Sequence, residues 1–249
     1  SLADREQLQV LEVFAGEKGD KVVMVGTACE STNQTIEKSK IAEEMGFDFV
    51  SILTPSYFAK RMDGPVIRGY YERIADALTI PVLLYNAPGF TGGVQIPPKI
   101  VRELSQHPNI MGIKDSSPTG PAKFLSVLDP QADFHVLAGS ADFFYPSLHL
   151  GASGGIVSLA NALPGPCCEV YRLFTEGRYR EARDLHFRLA RLNEAVSGTH
   201  GVAGVKAAME FTGFKGGEPR HPLTPIASEA RKAIWRALLL EEFSGFLTS

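Results

Sequence analysis

Residues 81–117, PVLLYNAPGFTGGVQIPPKIVRELSQHPNIMGIKDSS, carry two short apolar runs with a helical pattern between them. Pro81 to Tyr85 reads as a strand, Pro98 to Gln106 as a helix, and Ile110 to Lys114 as the next strand. Both strands are apolar at nearly every position, as expected when both faces of a sheet are covered. A strand, a helix and a second strand of this size form one βα repeat.

The same rhythm extends in both directions. VVMVG (Val22 to Gly26) precedes a helix from Thr32 to Met45, and FVSIL (Phe49 to Leu53) precedes one from Gly64 to Leu78. Downstream, a helix runs from Pro121 to Leu128. FHVLAG (Phe134 to Gly139) leads into Ala141 to Leu150, and GGIVSL (Gly154 to Leu159) into Pro164 to Glu176. Strand starts recur every ~20–33 residues, the size of a βα unit. Ser31-Thr32 offers a capping hydroxyl, and Gly46 sits where a helix must stop. Beyond Gly177 the pattern is helical, with segments at Tyr179 to Val196, Val202 to Thr212 and Ser228 to Phe243. The start, SLADREQLQVLEVF, reads as an amphipathic helix rather than a secretory or Arg-rich transit segment.

Such repetition builds a parallel sheet, either doubly wound or closed as a barrel. A doubly wound nucleotide fold normally shows a glycine-rich turn after its first strand. The turn here is GTACEST, neither GxGxxG nor a P-loop, and the barrel is favoured. The expected architecture is an α/β TIM (β/α)8 barrel. Residues 1–176 form the barrel, incomplete at its N-terminus, and 177–249 a C-terminal helical extension of the same domain.

Composition narrows the class. Net charge is −3 over 249 residues, so nothing points to nucleic acid or a membrane surface. No apolar run reaches the ~18 residues of a membrane span. Cys29, Cys167 and Cys168 supply neither a disulfide framework nor zinc spacing, and the expected compartment is reducing and cytoplasmic. The six histidines show no metal-ligand spacing.

Barrel enzymes place reactive groups at the C-terminal strand ends. Two ends stand out here. Lys114 closes IMGIK and shares a face with Gly112, which would leave room for a long side chain. A lysine deprived of water there more readily presents the neutral amine that attacks a ketone. The bland alternative is a lysine that reaches solvent or pairs with a carboxylate. Tyr85 closes the neighbouring strand, ~4.8 Å away. Its phenol could pass protons beside the amine, or simply plug the barrel mouth. Gly139-Ser140 and Gly154-Gly155 could cradle phosphate, but close-packing glycines are favoured. RGYYER (68–73) reads as a helix with one core face and one solvated face.

The segments LTPSYF, VLLYNAPGFTG, NIMGIKDSS, VLAGSADF and GGIVSLAN, in this order, resemble the dihydrodipicolinate synthase / N-acetylneuraminate lyase superfamily. The resemblance runs from about Leu2 to at least Pro222. Within it, GxxCEST, TPxY followed by Arg61-Met62, SQHPNI and KDS look closest to 4-hydroxy-2-oxoglutarate aldolases, with 2-keto-3-deoxy acid aldolases as neighbours. The resemblance implies a lyase acting on a small 2-oxo acid through a Schiff base, with no metal or organic cofactor. It also implies a homo-oligomer, a dimer or a homotetramer. Lys114 matches the imine-forming lysine and Tyr85 the proton-relay tyrosine. Tyr57 matches a tyrosine that reaches into a neighbouring subunit's site. Ser116 and Ser140 match positions that line the substrate pocket. Ile156 falls where a backbone group contacts the pyruvate part.

Two departures qualify the resemblance. The synthases carry an arginine two positions after the proline of YNxP, where it holds the second substrate's carboxylate. Phe90 stands there, and a phenyl ring cannot donate a bidentate pair. This shifts the expectation toward aldol cleavage and away from lysine biosynthesis. The family's first strand, helix and second strand, ending in a Gly-Ser/Thr-Glu loop, have no counterpart, and six candidate strands are present instead of eight. An omitted N-terminal segment, which could also carry a mitochondrial address, is the favoured expectation. The rival readings are a synthase or dehydratase of the same superfamily, and a non-catalytic truncated paralogue.

Overall fold

The computed structural model describes residues 2–247, so Ser1 and the last two positions of the expected C-terminal extension lie outside it. The chain divides into two compact units, residues 2–137 with 151–153, and residues 138–150 with the chain from 154 onward.

In the first unit, helices α1 (Asp4–Glu17), α2 (Thr32–Glu44), α3 (Gly64–Asp76), α4 (Pro98–Leu104) and α5 (Ala122–Leu125) alternate with strands. The strands are β1 (Met24–Gly26), β2 (Phe49–Leu53), β3 (Val82–Asn86), β4 (Ile110–Asp115) and β5 (His135–Ala138). They are hydrogen-bonded in chain order, and β1 to β4 pair in parallel. Register sorts the side chains into two faces. Val50, Val82 and Ile110 form one row, and Ile52, Leu84 and Ile113 the next. Both rows sit in one core with Ile67, Tyr71 and Ile74 of α3 and Val101 and Leu104 of α4. Leu83 and Tyr85 therefore share the opposite face with Ser51, Leu53, Gly112 and Lys114. RGYYER behaves as its pattern implies: Tyr70 and Tyr71 are buried, while Arg68 pairs with Glu72 and Glu103.

Several local expectations need correction. The strand expected from Val22 begins at Met24, because the Val23 N–H is taken by the Asp48 carboxylate at 2.8 Å. Ser31 occupies the N-cap of α2, but its hydroxyl makes no capping bond. Thr35, one turn on, reaches back instead: its Oγ1 accepts from Cys29 N at 3.0 Å and bonds the Ser31 carbonyl at 3.0 Å. The helix expected over 121–128 keeps only Ala122–Leu125, and Val127 N closes a turn on the Phe124 carbonyl. Gly46 ends α2 as expected, with φ at 80°.

The second unit holds α6 (Phe144–His149), β6 (Gly154–Gly155), α7 (Pro164–Thr175), α8 (Tyr179–Asn193), α9 (Thr199–Phe211) and α10 (Ser228–Leu240). The strand expected over 154–159 is two residues long, and a 3-10 turn spans Ser158–Asn161. Gly155 is a close-packing glycine, since an added Cβ would lie 2.8 Å from the Phe144 ring. A π-helical turn, Glu194–Gly198, joins α8 to α9 where separate helices were expected. Leu159, Leu163, Val170, Leu189, Leu192, Ala208, Ile234 and Leu238 make this unit's core. Among the described residues, no helix is long and apolar enough to cross a membrane.

Candidate active site

The C-terminal ends of β3 and β4 bring the two principal sequence candidates together. Tyr85 and Lys114 are cross-strand partners in the parallel register. Both are partly buried, and Lys114 Nζ lies over the Tyr85 ring, 4.3 Å from its centroid. Among the described residues neither Nζ nor the Tyr85 hydroxyl has a hydrogen-bond partner. The amine thus faces the ring and leaves the phenol oxygen uncommitted. The expected reason for the space is corrected. Gly112 does not open room, because an added Cβ there would collide with the His135 carbonyl oxygen and lie 3.0 Å from Leu83 Cδ1. Gly112 serves the close approach of the neighbouring strand's backbone.

Both strands run one residue further than expected, to Asn86 and Asp115. These two are also register partners, 1 % and 0 % exposed, and lie one step beyond the lysine and tyrosine. Asn86 Nδ2 donates to Asp115 Oδ1 at 2.6 Å, and Ile96 N donates to Asn86 Oδ1 at 2.9 Å. Ser117 gives its N–H to Asp115 Oδ1 (3.1 Å) and its hydroxyl to Oδ2 (2.7 Å). The apolar runs end at Tyr85 and Lys114, so no pattern in the sequence assigned Asn86 and Asp115 a part.

Ser116 N donates to the Asn86 carbonyl at 2.8 Å, extending the ladder past the strand. Its Oγ, like Thr54 Oγ1 just after β2, is a buried hydroxyl oxygen without a protein partner. Buried hydroxyls normally find a partner, so each has bonding capacity to offer a ligand or water.

Tyr57 and Phe90 lie at loop surfaces, 80 % and 76 % exposed. The Tyr57 and Phe58 rings meet edge to face at 4.9 Å. Glu30, which the sequence offered only as part of GxxCEST, anchors this loop. Its carboxylate accepts from Ser56 N (3.0 Å), Ser56 Oγ (2.8 Å) and Tyr57 N (2.9 Å). Burial alone pushes the Glu30 carboxyl up, but the bonds from Tyr57 and Ser56 outweigh it and hold it below the usual range.

Ser140 and Ile156 belong to the second unit. Ser140 Oγ donates to Asp142 Oδ2 at 2.7 Å and accepts from Asn193 Nδ2 at 3.3 Å. Ile156 N donates to the Ala138 carbonyl at 2.8 Å, so its N–H is already used.

Comparison with known proteins follows the same lines. The profile of the dihydrodipicolinate synthetase family matches residues 1–240. A 4-hydroxy-tetrahydrodipicolinate synthase from Methanospirillum hungatei is 35% identical over 240 residues, covering 96% of this chain and 81% of that protein. A probable mitochondrial 4-hydroxy-2-oxoglutarate aldolase from Emericella nidulans is 33% identical over 216 residues, 86% of this chain and 69% of that one. Among solved structures, dihydrodipicolinate synthase from Thermotoga maritima superposes with a TM-score of 0.89 at 26% identity, covering 99% of this chain and 83% of that one. Synthase and aldolase relatives lie at similar identity, so identity alone does not choose between their reactions.

Proposed function

The chain belongs to the dihydrodipicolinate synthetase family, and from that membership we propose that it is a class I lyase. It cleaves or forms a 4-hydroxy-2-oxo acid or a 2-keto-3-deoxy acid, with pyruvate as product or donor. The observation that supports this most is the juxtaposition of Lys114 Nζ and the Tyr85 ring, 4.3 Å apart at the ends of paired strands.

The chemistry is that of an imine. The Lys114 amine adds to the C2 carbonyl, and loss of water from the carbinolamine leaves a protonated imine. Removal of the proton from the C4 hydroxyl then breaks the C3–C4 bond. The electron pair passes into the imine to give an enamine, and an aldehyde leaves. Protonation at C3 and hydrolysis release pyruvate and the free amine. The Tyr85 phenol moves the protons, helped by Tyr57 of a second copy in a dimer or tetramer. The protonated imine draws electrons as a divalent ion would in a metal-dependent aldolase, so no cofactor is required. Ser116, whose buried hydroxyl oxygen has no protein partner, and Phe90 line the substrate.

Phe90 is the observation that favours aldol cleavage over the synthase reaction. The synthase reading needs a bidentate cation for a second carboxylate, and a ring offers none. Incubation of the full chain with pyruvate and borohydride tests the imine. A reduced adduct mapped to Lys114 is expected, whereas its absence on a folded chain would favour a non-catalytic paralogue. Pyruvate release from a panel of 4-hydroxy-2-oxo and 2-keto-3-deoxy acids separates cleavage from the synthase alternative.

A further inference from the structure

Lys114 and Tyr85 sit on long or rotatable side chains, and neither is held by a hydrogen bond of its own. What fixes their separation is the backbone spacing of β3 and β4 at that level. The ladder is irregular at its start, where the register shifts between Val82 and Leu83. From Leu83 to Asn86 the register runs without a break, so the level of the reacting pair is set by an ordered ladder whose last rung is Asn86 and Asp115. One residue past the reacting pair, a closed circuit of hydrogen bonds ties the two strands together.

The circuit can be followed atom by atom. Asn86 Nδ2 donates to Asp115 Oδ1, and Ser117 Oγ donates to Asp115 Oδ2. Lys123 Nζ donates to Ser117 Oγ at 3.0 Å and to Gln95 Oε1 at 3.3 Å. The Gln95–Ile96 peptide returns the circuit, because Ile96 N donates to Asn86 Oδ1 at 2.9 Å. Each member has one allowed direction. The Ile96 N–H fixes which end of the Asn86 amide is oxygen, and that turns the Nδ2 donors toward Asp115. Asp115 receives three donors and so acts as an acceptor only. Both side chains lie on the face shared with Leu84 and Ile113, away from Lys114 and Tyr85. They need not touch a substrate to matter.

We infer that Asn86 and Asp115 are positioning residues, whose bond sets the distance between the Lys114 amine and the Tyr85 phenol. The inference rests on the imine chemistry proposed above. A shift of ~1 Å in such a pair can cost ~100-fold in rate, whereas loss of a buried bond that is only structural costs stability.

The test follows pyruvate trapping at Lys114 by borohydride, reading the maximal rate and the half-saturating pyruvate concentration separately in the full chain. Asn86→Asp sets carboxyl against carboxyl. It is expected to lower the maximal rate by roughly 10- to 100-fold while half-saturation moves less than about threefold. The double exchange N86D/D115N restores a donor facing an acceptor and keeps the Ile96 bond, though it turns that donor against the Ser117 N–H, so the rate should rise by about threefold or more above that of N86D without reaching the parent. Asn109→Ala is the structural comparator. Its amide bonds the Ala75, Leu78 and Ile80 carbonyls at the opposite end of the same strands. That variant should lose stability and keep the trapping rate.

The inference is overturned, with the imine chemistry intact, if folded N86D traps at the parental rate or if the folded double exchange traps no faster than N86D. Asp115→Asn is the milder single exchange should N86D not fold, and a loss of roughly three- to tenfold is expected of it. If neither single exchange folds, the pair is a folding element and the inference falls. Absence of any Lys114 adduct in the parent chain would remove the proposed function itself and the inference with it.

Discussion

Lys114 Nζ stands 4.3 Å from the centroid of the Tyr85 ring, and the two residues are register partners on adjacent parallel strands. The relationship separates two parts that a tyrosine could play. Its ring face can hold a cation, and its hydroxyl can move protons. Lys114→Arg places a guanidinium over the ring but removes the nucleophilic amine. Stability should change by less than about 1 kcal/mol while the pyruvate adduct disappears. Tyr85→Phe keeps the ring and removes the hydroxyl, and trapping should slow by about 100- to 10,000-fold. A Tyr85→Phe variant that traps at the parental rate would confine Tyr85 to packing.

How much of this was legible beforehand depended on whether one strand or two had to be read. Lys114 and Tyr85 were visible because each closes an apolar run, and parallel barrels put chemistry at such ends. Gly112 was misread because its constraint comes from the His135 carbonyl of the next strand. A pattern within IMGIK carries no information on that neighbour's backbone. The Asn86–Asp115 bond was invisible for a similar reason. It needs the β3–β4 register together with a chain return at Ile96, ten residues after Asn86. Apolar periodicity also failed at Glu194–Gly198, since a widened π turn breaks the 3.6-residue rhythm while the helix runs on.

Glu30 makes the Tyr57 loop sensitive to acid. Burial raises its carboxyl, the Tyr57 and Ser56 bonds lower it further than burial raises it, and the net shift is downward from 4.5. A lowered folded value means that the clamp stabilises the loop above the ordinary value and is lost as pH falls through the folded one. Protection of the Ser56 and Tyr57 amides against hydrogen exchange should therefore drop on acidification below the usual carboxylate range. Glu30→Gln should show the reduced protection already at neutral pH. Equal protection in parent and variant at neutral pH would remove Glu30 from this role.

His186 gives the second unit the same direction of dependence from a different cause. It is 4 % exposed, and burial lowers its pKa against the opposing pull of Asp142. The folded state thus holds it neutral while the unfolded chain protonates near 6.5. Stability is complete above that value and declines as pH falls from it toward the lowered folded value. The Tm of the parent should fall through this window, and His186→Gln should flatten the fall. A variant with the parental slope would assign the dependence to other groups.

Two glycines of the first unit should respond to alanine with opposite signs. At Gly112 the added methyl meets the His135 backbone carbonyl, which cannot turn aside as a side chain would, and also approaches Leu83. Overpacking against backbone forces the β4–β5 spacing open, so Gly112→Ala should lose about 3 kcal/mol or more, or fail to fold. Gly69 lies inside α3, where an added Cβ has nothing within 4 Å. There alanine removes unfolded-chain entropy at no steric cost, and Gly69→Ala should gain about 0.5–1 kcal/mol. Urea unfolding of both variants beside the parent reads the two signs from the midpoints. A Gly112→Ala chain as stable as the parent would mean that β5 does not approach β4 this closely.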